Sequence, residues 1–318
     1  MRYFNTAGPS VAGQHYMIDP LARLDFPEVL ALIEQQRYFV LHAPRQTGKT
    51  TCLLALIAHL NQEGRYRALY ANIEGAQAAR SDVEHGIAIV CSVVARSAAL
   101  YLRDHALDEW LRAKGRQEPP GDRLVKLLTY SAECDSRPAI LLLDEIDSLV
   151  GDTLISVLRQ IRAGYAQRPD AFPQSVILCG VRDVRDYRIH TAHQEIITGG
   201  SAFNIKTKSL RLGNLERVEV EALYAQHTTD TGQVFDPAIL PELWEDTRGQ
   251  PWLVNALGYE MTWEDRELRD RSLPVDWERY RAARERLIQS RATRHAPRSA
   301  RHTPGRTAGT SSNRRPGR

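Results

Sequence analysis

Residues 43–50 read A-P-R-Q-T-G-K-T, which is the pattern G-x-x-x-x-G-K-[ST] with Ala43 in place of the first glycine. In loops of this kind, backbone N–H groups surround phosphates, the lysine reaches the outer phosphates and the hydroxyl binds Mg²⁺. Gly48, Lys49 and Thr50 take these roles, so the loop predicts a nucleoside triphosphate as ligand. The residues predicted to hold it are Ala43, Pro44, Arg45, Gln46, Thr47, Gly48, Lys49, Thr50 and Thr51.

The sequence on both sides of the loop supports this prediction. Residues 38–42 form a short, mostly apolar, β-prone run before the loop. After the loop, apolar residues recur at helical spacing, at Leu53, Leu56, Ile57 and Leu60. A strand, a glycine turn and a helix therefore follow in the order that places helix N–H groups against an anion. The alternative is an ordinary strand-to-helix turn that happens to contain Gly-Lys-Thr.

A second apolar run ends in two acidic residues. Residues 139–143 read A-I-L-L-L and are followed by Asp144 and Glu145, which is typical of a buried parallel strand. We predict that Asp144, together with Thr50, lies on the Mg²⁺ side, and that Glu145 is the general base that polarises the attacking water. Taken alone, such a pair is usually a solvated strand end, so the prediction depends on its combination with Lys49.

Arg182 follows a third apolar run, at residues 175–179. An arginine a few residues beyond a central strand can reach a γ-phosphate that lies over the strand ends, where its charge stabilises the transition state. Arg182 is therefore the second candidate catalytic residue. A surface ion pair with Asp183 or Asp186 explains it equally well.

The order of strands and helices predicts an α/β fold. The β-prone runs alternate with helical segments, which indicates a parallel sheet with helices on both faces. These runs lie at residues 38–42, 67–73, 139–143, 175–179 and 207–212. After residue 213 the pattern is helical throughout. The predicted parts are an N-terminal segment at 1–37, a phosphate-loop core at 38–213, a small all-helical lid domain at 214–290 and a basic tail at 291–318.

Together these motifs resemble the AAA+ ATPases of the P-loop class, and within them the STAND and archaeal-type branch that is often labelled the AAA-like domain. The similarity covers residues 1 to about 290 and rests on A-P-R-Q-T-G-K-T-T, the D-E pair at 144–145, L-C-G-V-R-D and T-R-G-Q-P at 247–251. The resemblance implies an ATPase that uses ATP and Mg²⁺, with Arg182 as a sensor near the end of the fourth strand.

The same resemblance implies that a Gly-x-Pro at the start of a lid helix contacts the adenine side of the nucleotide. In this sequence the motif falls on Gly249 and Pro251. Because proline is favoured at the first position of any helix, a purely capping role for Pro251 is an equal alternative.

Composition separates the tail from the rest of the chain. The chain has 318 residues and a formal charge of +3, and residues 291–318 contain eight arginines and no acid, so the +8 of the tail leaves −5 for the body. The tail has no Leu, Ile, Val, Met or aromatic residue, so we expect it to be disordered. It is either a basic arm for nucleic acid or a tail without a selected function. The absence of side chains that stack on bases favours the second.

No export or membrane signal is evident. The N-terminus has no apolar signal segment, and the most membrane-like stretch, residues 87–100, is interrupted by Arg96 and is too short to span a bilayer. The four cysteines show neither metal-binding nor disulfide spacing. We therefore expect a cytoplasmic protein with no membrane partner.

Three functions are compatible with these motifs. The first is a Mg²⁺-dependent ATPase whose hydrolysis resets a conformational switch, favoured by Glu145 next to Asp144. The second is a nucleotide-binding interaction module with little or no intrinsic hydrolysis, since no arginine finger is obvious. The third and weakest is a nucleic-acid-associated ATPase, which rests on the tail. Proteins with this resemblance are often joined to an effector after the lid, so besides ATP and ADP we expect a protein partner or a missing C-terminal effector domain.

Overall fold

The computed structural model describes residues 1–183, 188–190, 196–198 and 203–295, with 188–190, 196–198 and 291–295 described by their backbone. The strands are β1 (Tyr38–His42), β2 (Arg67–Asn72), β3 (Ala139–Asp144), β4 (Ser175–Gly180), β5 (Arg188–His190), β6 (Ile196–Thr198) and β7 (Lys206–Arg211). The α-helices are α1 (Phe26–Glu34), α2 (Lys49–Glu63), α3 (Val83–Leu102), α4 (Ala106–Ala113), α5 (Pro120–Glu133), α6 (Gly151–Ala163), α7 (Arg217–Thr231), α8 (Ile239–Thr247), α9 (Pro251–Tyr259) and α10 (Trp277–His295). Short 3-10 turns include Glu74–Ala79 and Ile146–Ser148, and a π-helical turn spans Glu260–Glu264.

Five strands form one parallel sheet in the order β2-β3-β4-β1-β7, and β5 pairs with β6 in a separate hairpin. These five strands are the ones predicted from the sequence, which confirms the α/β fold with flanking helices. β4 lies between β1 and β3, so the strands that lead to Lys49 and to Asp144 are not neighbours. The central position of these three strands places their carboxyl ends together at one edge of the sheet.

Helices cover both faces of the sheet. Val40 and Leu141 pack against buried residues of α3, α5 and α6, whereas Leu41 and Leu142 pack against α1 and α2. Successive residues of a strand point to opposite faces, so a strand covered on both sides needs apolar residues at every position. This is why β3 is a continuous apolar run and is buried along its whole length.

Helix α3 is long and apolar enough to cross a membrane when judged by length and composition alone. In this fold it packs against β2, α4 and α5, and its residues Ile87, Val90 and Val94 are fully buried. Packing in the core therefore accounts for its apolar character. At 20 residues the helix is longer than the apolar stretch 87–100 that the sequence indicated.

The chain after residue 213 is helical and has a hydrophobic core of its own. α7 begins with a capping box, in which the Glu219 carboxylate accepts a hydrogen bond from the Glu216 N–H at 2.6 Å. The lid core combines residues of all four lid helices, including Leu223, Tyr224, Leu243, Val254 and Tyr280. α10 continues to His295, five residues beyond the predicted start of the tail, and residues 296–318 lie outside the described part of the chain.

The first residues of the chain pack on the lid. The ring of Phe4 lies 4.8 Å from that of Tyr224 and 5.0 Å from that of Tyr16, all within the lid core. A Cβ at Gly258 would lie 2.6 Å from the Phe4 ring, so this close approach requires a glycine. By contrast, Leu24 and the buried side of α1 pack with α2 against the sheet. The predicted segment 1–37 thus has two parts with different partners.

Candidate functional site

The loop that joins β1 to α2 has the geometry of an anion site. Gly48 precedes α2 with φ of +83°, in the left-handed region that glycine favours. No side chain of the described residues caps this helix end, so the N–H groups of the first turn of α2 remain available to a ligand. Together with the positive end of the helix dipole, these groups attract phosphate.

Ala43, the departure from the usual pattern, fits the loop without strain. Its backbone stays out of the left-handed region, and its N–H donates to the Gly180 carbonyl at 3.1 Å, which extends the pairing of β1 with β4. Its own carbonyl accepts a hydrogen bond from Lys49 Nζ at 3.0 Å. Lys49 is only 6% exposed, so its ammonium is held inside the loop. The missing glycine therefore does not prevent a phosphate-binding conformation.

Asp144, at the end of β3, is fully buried and connects three parts of the chain. Its Oδ2 accepts hydrogen bonds from Thr50 Oγ1 at 3.1 Å and from the Tyr70 hydroxyl at 2.8 Å, and its Oδ1 accepts one from the Glu145 N–H at 2.9 Å. Burial, reinforced by Asp144, raises the pKa of Tyr70, so its hydroxyl remains a donor. The structure thus brings Thr50 and Asp144, the two predicted metal residues, into direct contact.

Glu145 lies half-buried at the edge of a cavity. Its φ is +60°, which is uncommon for a residue other than glycine and is found preferentially at functional sites. Burial raises the pKa of the Glu145 carboxyl, the nearby charge of Asp144 raises it further, and Lys49 opposes both effects. A carboxylate with a raised pKa is a stronger proton acceptor, as the predicted general base requires.

The predicted loop, Glu145 and the lid meet around a cavity of about 590 Å³. Residues 45–51 form one wall with Glu74 and Glu145, and residues 5–10 form the facing wall with three lid residues, Pro251, Trp252 and Asn255. This volume lies in the range of pockets that hold nucleotide-sized ligands. Ala43, Pro44 and Asp144 support this cavity without lining it.

Hydrogen bonds between distant residues hold the wall formed by residues 5–10. The indole N–H of Trp252 donates to the Thr6 carbonyl at 2.9 Å, and the Asn5 N–H donates to Asn255 Oδ1 at 3.3 Å. On the other side, the Ser10 N–H donates to Thr51 Oγ1 at 3.0 Å. The segment therefore connects the lid to the start of α2. Sequence analysis does not predict this wall, because its Gly8-Pro9 dipeptide indicates only a loop.

The two residues of the predicted Gly-x-Pro motif, Gly249 and Pro251, have different surroundings in the structure. Pro251 is the first residue of α9 and lines the large cavity and also a small cleft of about 60 Å³. That cleft is bordered mainly by apolar residues of the N-terminal segment and the lid, among them Tyr16, Ile18, Leu215 and Leu223.

Gly249 lines neither space and has a structural role. Its φ is +67°, and a Cβ there would lie 1.9 Å from the carbonyl oxygen of Leu215. Its carbonyl accepts a hydrogen bond from the Leu215 N–H at 2.8 Å. The adenine contact expected of the motif therefore stays a prediction for Pro251, while Gly249 allows the lid backbone to pass close to Leu215.

Arg182 lies two residues beyond β4, is exposed, and is not part of the cavity lining. The neighbouring Asp183 carboxylate accepts hydrogen bonds from Lys206 Nζ at 2.6 and 2.7 Å, and Asp186 lies outside the described residues. The Val181 N–H donates to Asp147 Oδ1 at 2.7 Å, which ties the segment after β4 to the segment after β3. A sensor role for Arg182 stays a prediction.

The donor set at Thr50 and Asp144 fits Mg²⁺. The Thr50 hydroxyl and Asp144 carboxylate oxygens lie 3.1 Å apart, with Thr50 lining the cavity and Asp144 buried behind it. Within the described ranges, no group of three or more His, Cys, Asp or Glu side chains forms a metal cluster. Mg²⁺ differs from zinc in this respect, because it keeps several waters and is usually held by one or two protein oxygens together with substrate phosphates.

No protein-family model matches the sequence, and no curated protein matches it. Solved structures do match. The chain is similar to a Walker-type ATPase of Pyrococcus abyssi, with 13% identity and a TM-score of 0.56 over 93% of this chain and 80% of that one. It is similar to Cdc6p from Pyrobaculum aerophilum, with 14% identity and a TM-score of 0.57 over 91% and 73%. It is also similar to domain III of the replication initiation protein DnaA from Thermotoga maritima, with 12% identity and a TM-score of 0.51 over 86% and 95%.

These structures are AAA+ P-loop ATPases, and at such low identities the similarity is one of fold. The chain therefore shares the fold of these AAA+ proteins, which confirms the resemblance predicted from its motifs at the level of the fold. The narrower assignment to the STAND branch stays a prediction.

Proposed function

We propose that the protein binds ATP, hydrolyses it with Mg²⁺, and acts as a conformational switch of the AAA+/STAND type. The observation that supports this most directly is the meeting of Lys49, Thr50 and Glu145 around one cavity, with Asp144 bonded to Thr50 behind it. These residues come from two stretches about one hundred positions apart. Phosphoryl transfer requires a phosphate-binding cation, two groups that hold Mg²⁺ and a group that positions the attacking water, and these four residues would supply them.

The loop would hold the phosphates mainly through its backbone. N–H groups at the start of α2 face the anion, and Lys49 Nζ needs only to leave the Ala43 carbonyl, 3.0 Å away, to reach a phosphate oxygen. Thr47 Oγ1 donates to the Pro44 carbonyl at 2.8 Å, which stiffens the loop before the ligand arrives. Most of the binding geometry is thus present in advance, which reduces the entropy lost on binding.

Thr50 and Asp144 would hold Mg²⁺, which when bound supplies positive charge that neutralises the phosphates. Glu145 would orient the attacking water and accept its proton at a carboxylate oxygen. Its raised pKa suits that step, because a base with a pKa nearer to neutrality takes the proton more readily. Arg182 would add charge near the γ-phosphate if the segment after β4 brings it to the strand ends.

We place the base of the nucleotide toward Pro251 and the small apolar cleft beside it. The cleft adjoins the large cavity, and the two spaces share Gly48, Thr51 and Pro251. Its border is mostly apolar, with Arg23 as the charged residue on it, which suits a planar base, whereas the large cavity carries Lys49, Glu74 and Glu145. The preference for ATP over GTP rests on the family resemblance.

A conformational switch must act on another protein or domain. We propose that this is a protein partner or an effector domain joined after the lid. The lid contacts the phosphate loop directly, since Gln250 Nε2 donates to the Gln46 carbonyl at 3.3 Å. A change in the loop can therefore reach the lid. We also propose a cytoplasmic location, because all four cysteines are free and three of them are buried.

Two alternatives remain. A binding module without hydrolysis would use the same phosphate site and differ only in the role of Glu145.

The other alternative, a nucleic-acid-associated ATPase, is favoured by the similarity to DnaA, a replication initiation protein. Against it, three arginines of α10 pair with acids of the lid: Arg279 with Asp265 and Glu267, Arg284 with Asp246, and Arg286 with Glu260. These pairs leave the described part of α10 a poor phosphate-binding face.

Single-turnover hydrolysis by the full chain tests the proposal. We expect the purified protein to hydrolyse ATP only with Mg²⁺ and to release the product as ADP. Tight ATP binding without hydrolysis, with all partners tried, would favour the binding module. Hydrolysis that rises strongly on addition of DNA would favour the third function. A chain that neither binds nor hydrolyses ATP would refute all three.

A further inference from the structure

Arg23 binds two backbone carbonyls that belong to different functional segments. Its Nη1 donates to the Thr47 carbonyl at 2.8 Å, and its Nη2 donates to the Gly213 carbonyl at 2.9 Å. Thr47 lies in the phosphate loop, and Gly213 lies in the connection from β7 to the lid helix α7. One half-buried guanidinium therefore bridges the loop and the lid connection, which are far apart in sequence.

The loop is shaped to accept this side chain. A Cβ at Gly48 would lie 2.8 Å from Arg23 Nη1, so the glycine that ends the loop also leaves room for the guanidinium. Around Gly213, by contrast, a Cβ would meet nothing within 4 Å. The lid connection is thus open to solvent at Gly213, between the bonds that hold Leu212 to His42 and Leu215 to Gly249, and Arg23 adds a third attachment there.

Hydrogen bonds also link the segment after Gly213, through the lid, back to the phosphate loop. Leu215 N–H donates to the Gly249 carbonyl at 2.8 Å, and the next residue, Gln250, caps α9 and donates to the Gln46 carbonyl at 3.3 Å. Two successive carbonyls of the phosphate loop therefore accept hydrogen bonds from side chains connected to the lid. The Gln46 carbonyl is bound by Gln250, and the Thr47 carbonyl is bound by Arg23.

These two carbonyls share peptide planes with the N–H groups of Thr47 and Gly48. A peptide unit is rigid and polarisable, so a phosphate that accepts a hydrogen bond from the N–H strengthens the bond made by the carbonyl of the same unit. Phosphate binding on one side of the loop would in this way tighten the bonds to Arg23 and Gln250 on the other side.

We propose that Arg23 is a positioning residue that couples the occupancy of the phosphate loop to the placement of the lid. This inference rests on the proposed function, because it requires the loop to bind a nucleotide. Arg23 Nε is buried without a hydrogen-bond partner among the described residues, so the guanidinium bonds to carbonyls only through the two nitrogens that reach the loop and the lid connection.

Hydrogen exchange of the lid helices α8 and α10, which line neither the cavity nor the cleft, is measured with and without a non-hydrolysable Mg·ATP analogue and tests the coupling in the full chain. In the parent we expect the analogue to slow exchange in the lid. In Arg23→Met we expect analogue binding about tenfold weaker, because the two bonds to Arg23 can no longer strengthen when the loop is occupied. At a saturating concentration of the analogue, we expect the lid of this variant to exchange as in the free protein while the loop and α2 are still protected.

Arg168 provides the matched control. It is also partly buried and also donates to two backbone carbonyls, those of Tyr165 and Gln36, but it is not near the cavity. Arg168→Met should lower the melting temperature and leave the protection of the lid by the analogue unchanged. Arg23→Lys, which keeps the charge but replaces the fork by a single amine, should fold and show an intermediate protection of the lid.

The outcomes separate this inference from the proposed function. If the parent shows no protection by the analogue in the loop, the proposed function is wrong and the coupling with it. If Arg23→Met or, should that variant fail to fold, Arg23→Lys shows the same protection of the lid as the parent, the proposed function stands and the role of Arg23 is refuted.

Discussion

The two ends of the cavity are built in opposite ways. At the proposed phosphate end, residues 43–50 and the Asp144 and Glu145 pair come from short continuous stretches, and backbone groups would do much of the binding. At the other end, residues 5–10 meet α9 across the whole chain, through the bond from Trp252 to Thr6, 246 residues apart. The comparison indicates that a short local motif defines the phosphate chemistry. Which ligand the cavity holds depends in addition on contacts between distant residues, which no short motif contains.

The largest effect is expected from Glu145→Gln at the phosphate end. Removal of a general base typically slows the chemical step by about 10²–10⁴-fold and leaves ground-state contacts with the phosphates intact. We therefore expect the variant to bind Mg·ATP as well as the parent and to hydrolyse it at background rate in single-turnover assays. Asp144→Asn should instead weaken the Mg²⁺-dependent part of binding.

Glu74→Gln is the matched control, since Glu74 lines the same cavity but is exposed. Hydrolysis by Glu145→Gln at the rate of Glu74→Gln would exclude the catalytic role. The pH profile gives a second readout. Because the base must be deprotonated and burial raises the pKa of Glu145 above 4.5, the rate should begin to fall at a higher pH than for an ordinary glutamate, and Glu145→Gln should lack this fall.

Gly249→Val should produce the largest effect at the base end. A side chain there requires left-handed backbone, which costs about 1–2 kcal/mol, and its Cβ would lie 1.9 Å from the Leu215 carbonyl oxygen, which adds about 1–3 kcal/mol of overpacking. We expect a lower melting temperature and weaker binding of ATP and ADP alike. Gly232→Val, with φ of +75° but open space around its Cβ, isolates the backbone cost. Equal losses in the two variants would show that the contact with Leu215 is unimportant.

Lys49→Ala should remove the stabilisation of the protein by nucleotide. At a ligand concentration one hundred times the Kd, binding stabilises the parent by about 2.7 kcal/mol, which is a shift of roughly 5–10 °C for a domain of about this size. Thermal melts with and without Mg·ATP measure it. Lys208→Ala, an exposed lysine paired with Glu28, should keep the full shift. A Lys49→Ala variant that keeps it as well would refute the phosphate site.

Trp252→Phe should have a smaller effect confined to the base end. It removes the indole hydrogen bond to the Thr6 carbonyl and keeps most of the ring, so we expect a loss of about 1 kcal/mol, or roughly fivefold in affinity for ATP. Equilibrium binding measures it, with Trp263→Phe as the control at a partly exposed tryptophan. An unchanged affinity in Trp252→Phe would show that the wall of residues 5–10 does not contribute to binding.

Deletion of residues 296–318 should have the smallest effect. The composition of this segment predicts disorder, and the cut preserves α10, which extends to His295. Melting temperature and ATP binding should stay as in the full chain. If the full chain binds DNA, the logarithm of its affinity should fall linearly with the logarithm of the salt concentration, with a slope of about −0.9 per phosphate contact. This affinity should disappear when the tail is deleted. DNA binding that survives the deletion would point to the folded body instead.

The parts that sequence predicted well are those set by nearest neighbours in the chain. The five strands were recognisable because helices on both faces require apolar residues at every position, as in β3. The loop was recognisable because Gly48 must take a left-handed backbone and Lys49 must follow it. In both cases local physical demands restrict the residue types.

The rest of the site depends on contacts between distant residues, which leave little trace in the sequence. Tyr70 reads as an ordinary strand residue, yet its hydroxyl holds Asp144 at 2.8 Å. Arg23 lies in a short turn without a recognisable motif, although it donates a hydrogen bond to the phosphate loop. Gly249 was predicted to contact the ligand from its motif, but its conformation is explained by the backbone of Leu215. A tyrosine, an arginine or a glycine has too many ordinary uses for its type alone to indicate these roles.

The packing of Phe4 against Tyr224 has a consequence for how the molecule is made. During synthesis Phe4 leaves the ribosome more than two hundred residues before Tyr224 and the other lid residues that bury it. The sheet and its helices can therefore assemble while Phe4 is still without its partners. Because contacts of such large sequence separation form slowly, we expect the cavity to be completed late in folding, when the lid helices reach the segment around Phe4.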